Sequence, residues 1–90
     1  MGNVLIRYKI MPEEIKEDLK RILEEVKKVA EKNKAKVLSN EEQNVAFGLK
    51  CLIVTISISE QEETTNLEES LKKIKGVSSI DVIDYRRALE

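Results

Sequence analysis

The sequence predicts an α+β protein in which two helices cover one face of a four-stranded antiparallel sheet. Apolar residues alternate with polar ones in several short segments, which is the period of strands, and recur every three to four residues in two others, which is the period of helices. The order along the chain is strand, helix, strand, strand, helix, strand. With 90 residues, 41% of them hydrophobic and 37% charged, the chain has room for one core. We therefore expect a single domain over residues 1–90.

The first strand precedes a long amphipathic helix. Apolar residues at every second position predict a strand with one buried face: Val4, Ile6, Tyr8 and Ile10. Pro12 ends this strand, and Glu13 and Glu14 supply the acidic first turn that a helix favours, so we expect the helix to begin near Pro12. Asn33 is expected to end it. Its inward-facing residues are predicted from their spacing: Ile15, Leu19, Ile22, Leu23, Val26, Val29 and Ala30.

The next two strands are predicted to form a hairpin. Residues 35–43 are polar enough to form a strand at the edge of the sheet, and Phe47-Gly48 is typical of a turn. Residues 49–58 are apolar on both faces, which predicts a central strand. One face carries Leu52, Val54, Ile56 and Ile58, and the other carries Leu49, Cys51 and Ile53.

The last two elements complete the order expected of a ferredoxin-like sandwich. Thr64 or Thr65 is expected to cap a short second helix, and Gly76 is expected to close it. Its inward-facing residues are predicted to be Leu67, Leu71 and Ile74. Residues 77–85 form the fourth strand. In the usual ferredoxin-like strand order the first and third strands are central, which agrees with their apolar character.

The composition excludes several function classes. The chain has no histidine, no nucleotide-binding glycine pattern and no cluster of metal-ligating residues, so we predict no catalytic residues, no metal and no cofactor. Its one cysteine, Cys51, is expected to be a buried structural thiol. A net charge of −1 provides no general attraction for nucleic acid, and no apolar run is long enough to span a membrane. We expect a cytoplasmic protein.

Two features remain as candidates for binding. Phe47 is the only phenylalanine and lies in a strand connection, where aromatic residues often contact partners, although it is also compatible with a lid folded over the end of the core. Arg86 and Arg87 form a basic pair after the last strand, and such pairs are usually solvated. An RNA recognition motif would need aromatic residues on the sheet, and its signature patterns are absent.

Several segments resemble the archaeal translation elongation factor 1-beta family. The segments that carry the resemblance are GNVLIRYKIMPE at 2–13, AFGLK at 46–50, KGV at 75–77 and IDVIDYRR at 80–87. Two features depart from the family pattern. Asn44-Val45 replaces a proline-bearing approach, and residues 86–90 end in Leu89-Glu90, whereas eukaryotic relatives have lysine next to last. Leu89 and Glu90 are also compatible with residues added for expression.

The resemblance implies a nucleotide exchange factor for elongation factor 1-alpha, the GTPase that carries aminoacyl-tRNA to the ribosome. It further implies that Phe47, Gly48 and Lys50 contact the GTPase, and that Arg86 and Arg87 extend toward its nucleotide and magnesium site. We expect no direct nucleic-acid or membrane contact and a monomer in the free state. Two alternatives stay open: a ferredoxin-like RNA-binding or ribosomal protein, and a small-molecule-binding regulatory domain that dimerises through its sheet edges.

Overall fold

The computed structural model describes residues 2–87 and confirms the predicted ferredoxin-like fold. The elements are β1 (Asn3–Pro12), α1 (Leu19–Lys32), β2 (Ala35–Ala46), β3 (Leu49–Ser59), α2 (Thr64–Lys72) and β4 (Val77–Arg87). The four strands form one sheet in the order β2-β3-β1-β4, and all neighbouring strands are antiparallel. The central position of β1 and β3 agrees with the sequence prediction.

The core lies between one face of the sheet and both helices. The strands contribute every second residue: Val4, Ile6, Tyr8 and Ile10 from β1, and Leu52, Val54, Ile56 and Ile58 from β3. The helices contribute Leu19, Ile22, Val26, Leu67 and Leu71, and Ile74 is added from the connection after α2. Both helices therefore cover the same face, as predicted. On the opposite face, Cys51 is fully buried, which confirms the expectation of a structural thiol.

The helix α1 begins later than the sequence pattern predicts. Asp18 caps it, because its Oδ1 accepts a hydrogen bond of 3.0 Å from the Lys20 amide, and the preceding residues form a turn. The expectation that α1 begins near Pro12 with Ile15 facing inward was wrong, since Ile15 is 65% exposed. Asn33 ends the helix, as predicted.

The boundaries of α2 also differ from expectation. Glu63 occupies the N-cap position without a side-chain capping bond, so Thr64 and Thr65 are the first helical residues rather than caps. The helix ends at Lys72 with Lys73 as its C-cap, and Gly76 instead forms the turn into β4 with a φ of +95°. A left-handed φ favours glycine.

Both edge strands contain bulges. The pairing of each edge strand with its central neighbour skips single residues: Leu38 and Val45 in β2, and Ser78 and Ile83 in β4. Three of these four are aliphatic and between 42% and 50% exposed. A bulge adds a residue to one strand only, so the extra side chain is not held by the alternation that buries its neighbours.

One polar contact joins the core to the surface of α2. Tyr8 is fully buried in β1, and its hydroxyl donates a hydrogen bond of 3.1 Å to Oε2 of Glu68. Burial, followed by the nearby Glu68 carboxylate, raises the pKa of the Tyr8 phenol well above its usual value of 10. The phenol is therefore neutral and available as a donor over the whole neutral range.

We predict that Ile22→Ala lowers the free energy of unfolding by about 2 to 5 kcal/mol, because Ile22 is fully buried in the core. The matched control is Leu23→Ala, since Leu23 lies beside it on α1 but is only partly buried. Urea unfolding followed by circular dichroism measures both. Equal losses for the two variants would contradict the orientation of α1.

The Tyr8 contact predicts a loss of stability in alkali. In the unfolded chain the phenol ionises near pH 10, whereas in the folded protein its pKa is higher. The unfolded state therefore binds fewer protons above pH 10, and the free energy of unfolding should fall there by up to about 1.4 kcal/mol per pH unit.

Tyr8→Phe removes this titration and should weaken stability at pH 7 by about 1 kcal/mol, through loss of the bond to Glu68. The difference in unfolding free energy between wild type and variant should then shrink between pH 10 and pH 11. A constant difference over that range would exclude the raised phenol pKa.

Candidate functional site

The hairpin between β2 and β3 presents Phe47 to solvent. Phe47 and Gly48 have φ values of +52° and +80°, as expected for the two-residue turn that matches the twist of a hairpin. Phe47 is 99% exposed, so the interpretation as a lid over the core was wrong. A large aromatic side chain held on a tight turn contributes nothing to this core and is available to a partner.

The hairpin extends past the part of the sheet that the helices cover. From Ser39 to Gly48 every residue is exposed, even at alternate positions that face the helical side of the sheet. Lys50, next to the turn on β3, is exposed as well. Phe47, Gly48 and Lys50 therefore lie together at one end of the molecule.

A shallow depression of about 450 Å³ separates this hairpin from the start of α1. Gly48, Lys50 and Glu42 line its hairpin side. The segment before α1 lines the other side, through Ile15, Glu17 and Asp18 among others. The structure thus places Ile15, Glu17 and Asp18 across the depression from Gly48 and Lys50.

Sequence reasoning missed this segment, because the helical spacing of Ile15 placed it inside α1. The available signal was Asp18, which is a favoured N-cap residue and stands directly before the first buried position, Leu19.

Arg86 and Arg87 lie at the C-terminal end of β4 and do not act as a pair. Their side chains are on opposite faces of the sheet, because successive strand residues alternate. Arg86 lies on the open face, where its Nη2 is 2.8 Å from Oδ2 of Asp84. Arg87 lies on the helical face, where its Nε is 3.5 Å from Oε2 of Glu60. The two guanidinium groups are therefore adjacent in sequence without forming one cluster.

The five predicted site residues form two separate surfaces. Arg86 pairs with Leu5, which pairs with Ser57 near the end of β3, whereas Gly48 precedes the start of β3. At about 3.3 Å per strand residue, the two surfaces are roughly 30 Å apart. A partner that contacts both must extend along the whole length of the sheet.

The open face of the sheet carries charges of alternating sign. Arg7 at its centre forms an ion pair of 2.8 Å with Glu41 on β2 and lies opposite Asp84 on β4, which holds Arg86. Both tyrosines pair within the sheet on the helical face, so among residues 2–87 the open face presents no aromatic side chain. It therefore lacks the stacking platform and the basic field of an RNA recognition motif.

Within the described part of the chain, no group of three or more residues is arranged to hold a metal ion. Nor is any helix there long and apolar enough to cross a membrane. Leu89 and Glu90, which carried the expectation of added residues, lie outside the described range.

Comparison with known proteins yields one family. A family model described as the EF-1 guanine nucleotide exchange domain matches residues 5–88. The chain is also 38% identical over 88 residues to elongation factor 1-beta of Methanosarcina barkeri, covering 97% of this chain and 99% of that one. It is 36% identical over 90 residues to elongation factor 1-beta of Methanothermobacter thermautotrophicus, covering 99% and 100%. The corresponding protein of Metallosphaera sedula is 37% identical over 90 residues, with 97% of each chain covered.

Proposed function

Because the chain belongs to the EF-1 guanine nucleotide exchange domain family, we propose that it promotes GDP release and GTP loading on the GTPase elongation factor 1-alpha. Within the structure, the observation that carries the proposal is the exposure of Phe47 on a tight turn. Archaeal elongation factors 1-beta match the chain over nearly its whole length, which supports the same role in translation.

Exchange requires differential binding rather than chemical catalysis. A factor that binds the nucleotide-free GTPase more tightly than the nucleotide-bound form weakens nucleotide binding by the same coupling free energy. GDP then dissociates faster, and abundant GTP displaces the factor. A protein with two binding surfaces on a rigid sheet is sufficient for this mechanism, and we propose that the chain is not an enzyme in the chemical sense.

We assign the two surfaces different parts in this mechanism. Phe47, with Gly48 and Lys50, anchors the factor on the GTPase through apolar contact. Arg86 and Arg87 act near the nucleotide and magnesium site, where a guanidinium can exchange its carboxylate partner for phosphate or repel the cation. In their present ion pairs with Asp84 and Glu60, the side chains of Arg86 and Arg87 are 68% and 79% exposed, so such an exchange costs little.

The remaining expectations stay predictions. The alternating charges of the open face support the absence of direct nucleic-acid contact. The bulged edge strands support a monomer in the free state, because a bulge hinders pairing with another edge. A role in translation elongation supports a cytoplasmic location. The assignment of residues 1–90 to one exchange domain is likewise a prediction.

We predict that Phe47→Ala slows stimulated GDP release by roughly thirtyfold, which corresponds to loss of about 2 kcal/mol at an interface anchor. The melting temperature should be unchanged, since the side chain is 99% exposed. The measurement follows release of fluorescent GDP from elongation factor 1-alpha at increasing concentrations of the factor. Leu38→Ala, at a half-exposed aliphatic residue on the same strand pair, is the control. Normal exchange by Phe47→Ala would remove the hairpin from the mechanism.

We predict that Arg86→Ala and Arg87→Ala each reduce stimulated GDP release by at least about fivefold. The size of this loss should change more with magnesium and salt concentration than the loss caused by Phe47→Ala. Stability should change by less than about 1 kcal/mol, because both ion pairs are exposed. Lys28→Ala is the control, since Lys28 forms a comparable exposed pair with Glu25 on α1.

Because the two arginines are on opposite faces, the single variants also show which face of β4 is used. A loss confined to one of them would restrict the contact to that face. Undiminished release by both would leave the hairpin as the sole contact of the factor.

A further inference from the structure

Ile15 is an apolar side chain that the fold turns outward. It lies in the segment between β1 and α1 and is 65% exposed, more than any other large apolar residue of the described chain except Phe47. A single exposed aliphatic residue is ordinary on a protein surface. Two further observations distinguish Ile15: the hydrogen bonds that hold its turn, and its position.

Hydrogen bonds and ion pairs hold the Ile15 segment at both ends. Before it, the Glu13 amide donates to the carbonyl of Gly76 at 2.8 Å. Across it, the Glu17 amide donates to the carbonyl of Glu14 at 3.2 Å, which closes a four-residue turn with Ile15 at its second position.

A third anchor fixes the side of the turn that leads into α1. Arg21 donates through Nη2 to the carbonyl of Lys75 at 2.7 Å, and the same nitrogen lies 3.8 Å from Oε1 of Glu17. The turn is therefore bonded both to the segment that precedes β4 and to α1. Little conformational entropy is lost when an apolar side chain on such a turn meets a partner.

The position of Ile15 connects it to the hairpin. Ile15 and Gly48, the neighbour of Phe47 in the turn, line opposite sides of the depression between the hairpin and α1. The floor and rim of this depression carry charges of both signs: Glu17, Asp18, Lys20, Glu42 and Lys50. Ile15 and the Phe47 turn thus lie on the two sides of one charged depression, which fits a ridge whose crest is polar and whose two flanks are apolar.

We propose that Ile15 is a second apolar anchor for the GTPase, acting with Phe47 on the two sides of one ridge of that partner. The proposal rests on the proposed exchange function and extends it to the segment of residues 13–18. The contact is bipartite: the β2–β3 hairpin contributes Phe47, and the turn before α1 contributes Ile15.

The test compares three variants in the fluorescent GDP release assay at matched folded concentration. Ile15→Ser should slow stimulated release by about fivefold to tenfold, as expected for an interface anchor of intermediate strength. Ile15→Leu keeps an aliphatic side chain and should stay within about twofold of wild type. Ile83→Ser is the matched control, because Ile83 is an equally aliphatic residue, 47% exposed, on the bulge of β4. All three should melt at the wild-type temperature.

The outcomes separate this inference from the function on which it rests. If wild type stimulates release and Phe47→Ala impairs it, but Ile15→Ser equals Ile83→Ser, the second anchor is wrong and the exchange function stands. If Ile15→Ser and Ile15→Leu are impaired equally, the apolar contact is wrong, because Leu retains it. If wild type fails to stimulate release, both proposals are overturned.

Discussion

The pairing of β1 with β3 is the interaction on which the rest of the structure depends. The two strands pair without a register shift from Asn3 opposite Ser59 to Ile10 opposite Leu52. Because strand side chains alternate, this register places the apolar residues of both strands on the face that the helices cover. A slip by one residue would move the apolar set of one strand to the open face. The same register also determines the length of the sheet, and therefore the separation of the Phe47 hairpin from the end of β4.

Alternation and helical spacing were sufficient to predict the order of elements, the central strands and most of the core. These patterns gave a wrong prediction where local hydrogen bonds override the helical period. Ile15 has the spacing of a buried helical residue, but the Asp18 cap and the anchored turn before it start α1 later and leave Ile15 exposed. A second difference lies at the end of β4, which was predicted to stop at residue 85 but continues to Arg87, so alternation places Arg86 and Arg87 on opposite faces. Whether Phe47 is exposed could not be predicted, because spacing alone does not distinguish a side chain folded over the core from one that faces solvent.

The separation of the two surfaces has a mechanical consequence for exchange. Because the same hydrogen-bonded sheet joins Phe47 to the β4 end over roughly 30 Å, a partner held at one of the proposed contacts has its orientation fixed at the other. In the mechanism that we propose, binding at the hairpin sets where the arginines lie relative to the nucleotide. If the GTPase cannot bind nucleotide and factor in their best geometries at the same time, each weakens the binding of the other by the same free energy. In the proposed mechanism, the free energy that expels GDP comes from binding contacts with the GTPase and not from side-chain chemistry, so the chain needs no histidine.

The bulges give the edges of the sheet a different property from its ends. An exposed edge strand is a template for pairing with another chain, and β2 and β4 are both long edges. Each is interrupted twice, at Leu38 and Val45 in β2 and at Ser78 and Ile83 in β4. Each bulge displaces the hydrogen-bonding groups on the free side, so a straight second strand cannot follow the edge for long. Association along the edges is thereby disfavoured, while the turns at the ends keep their apolar side chains accessible to a partner of complementary shape.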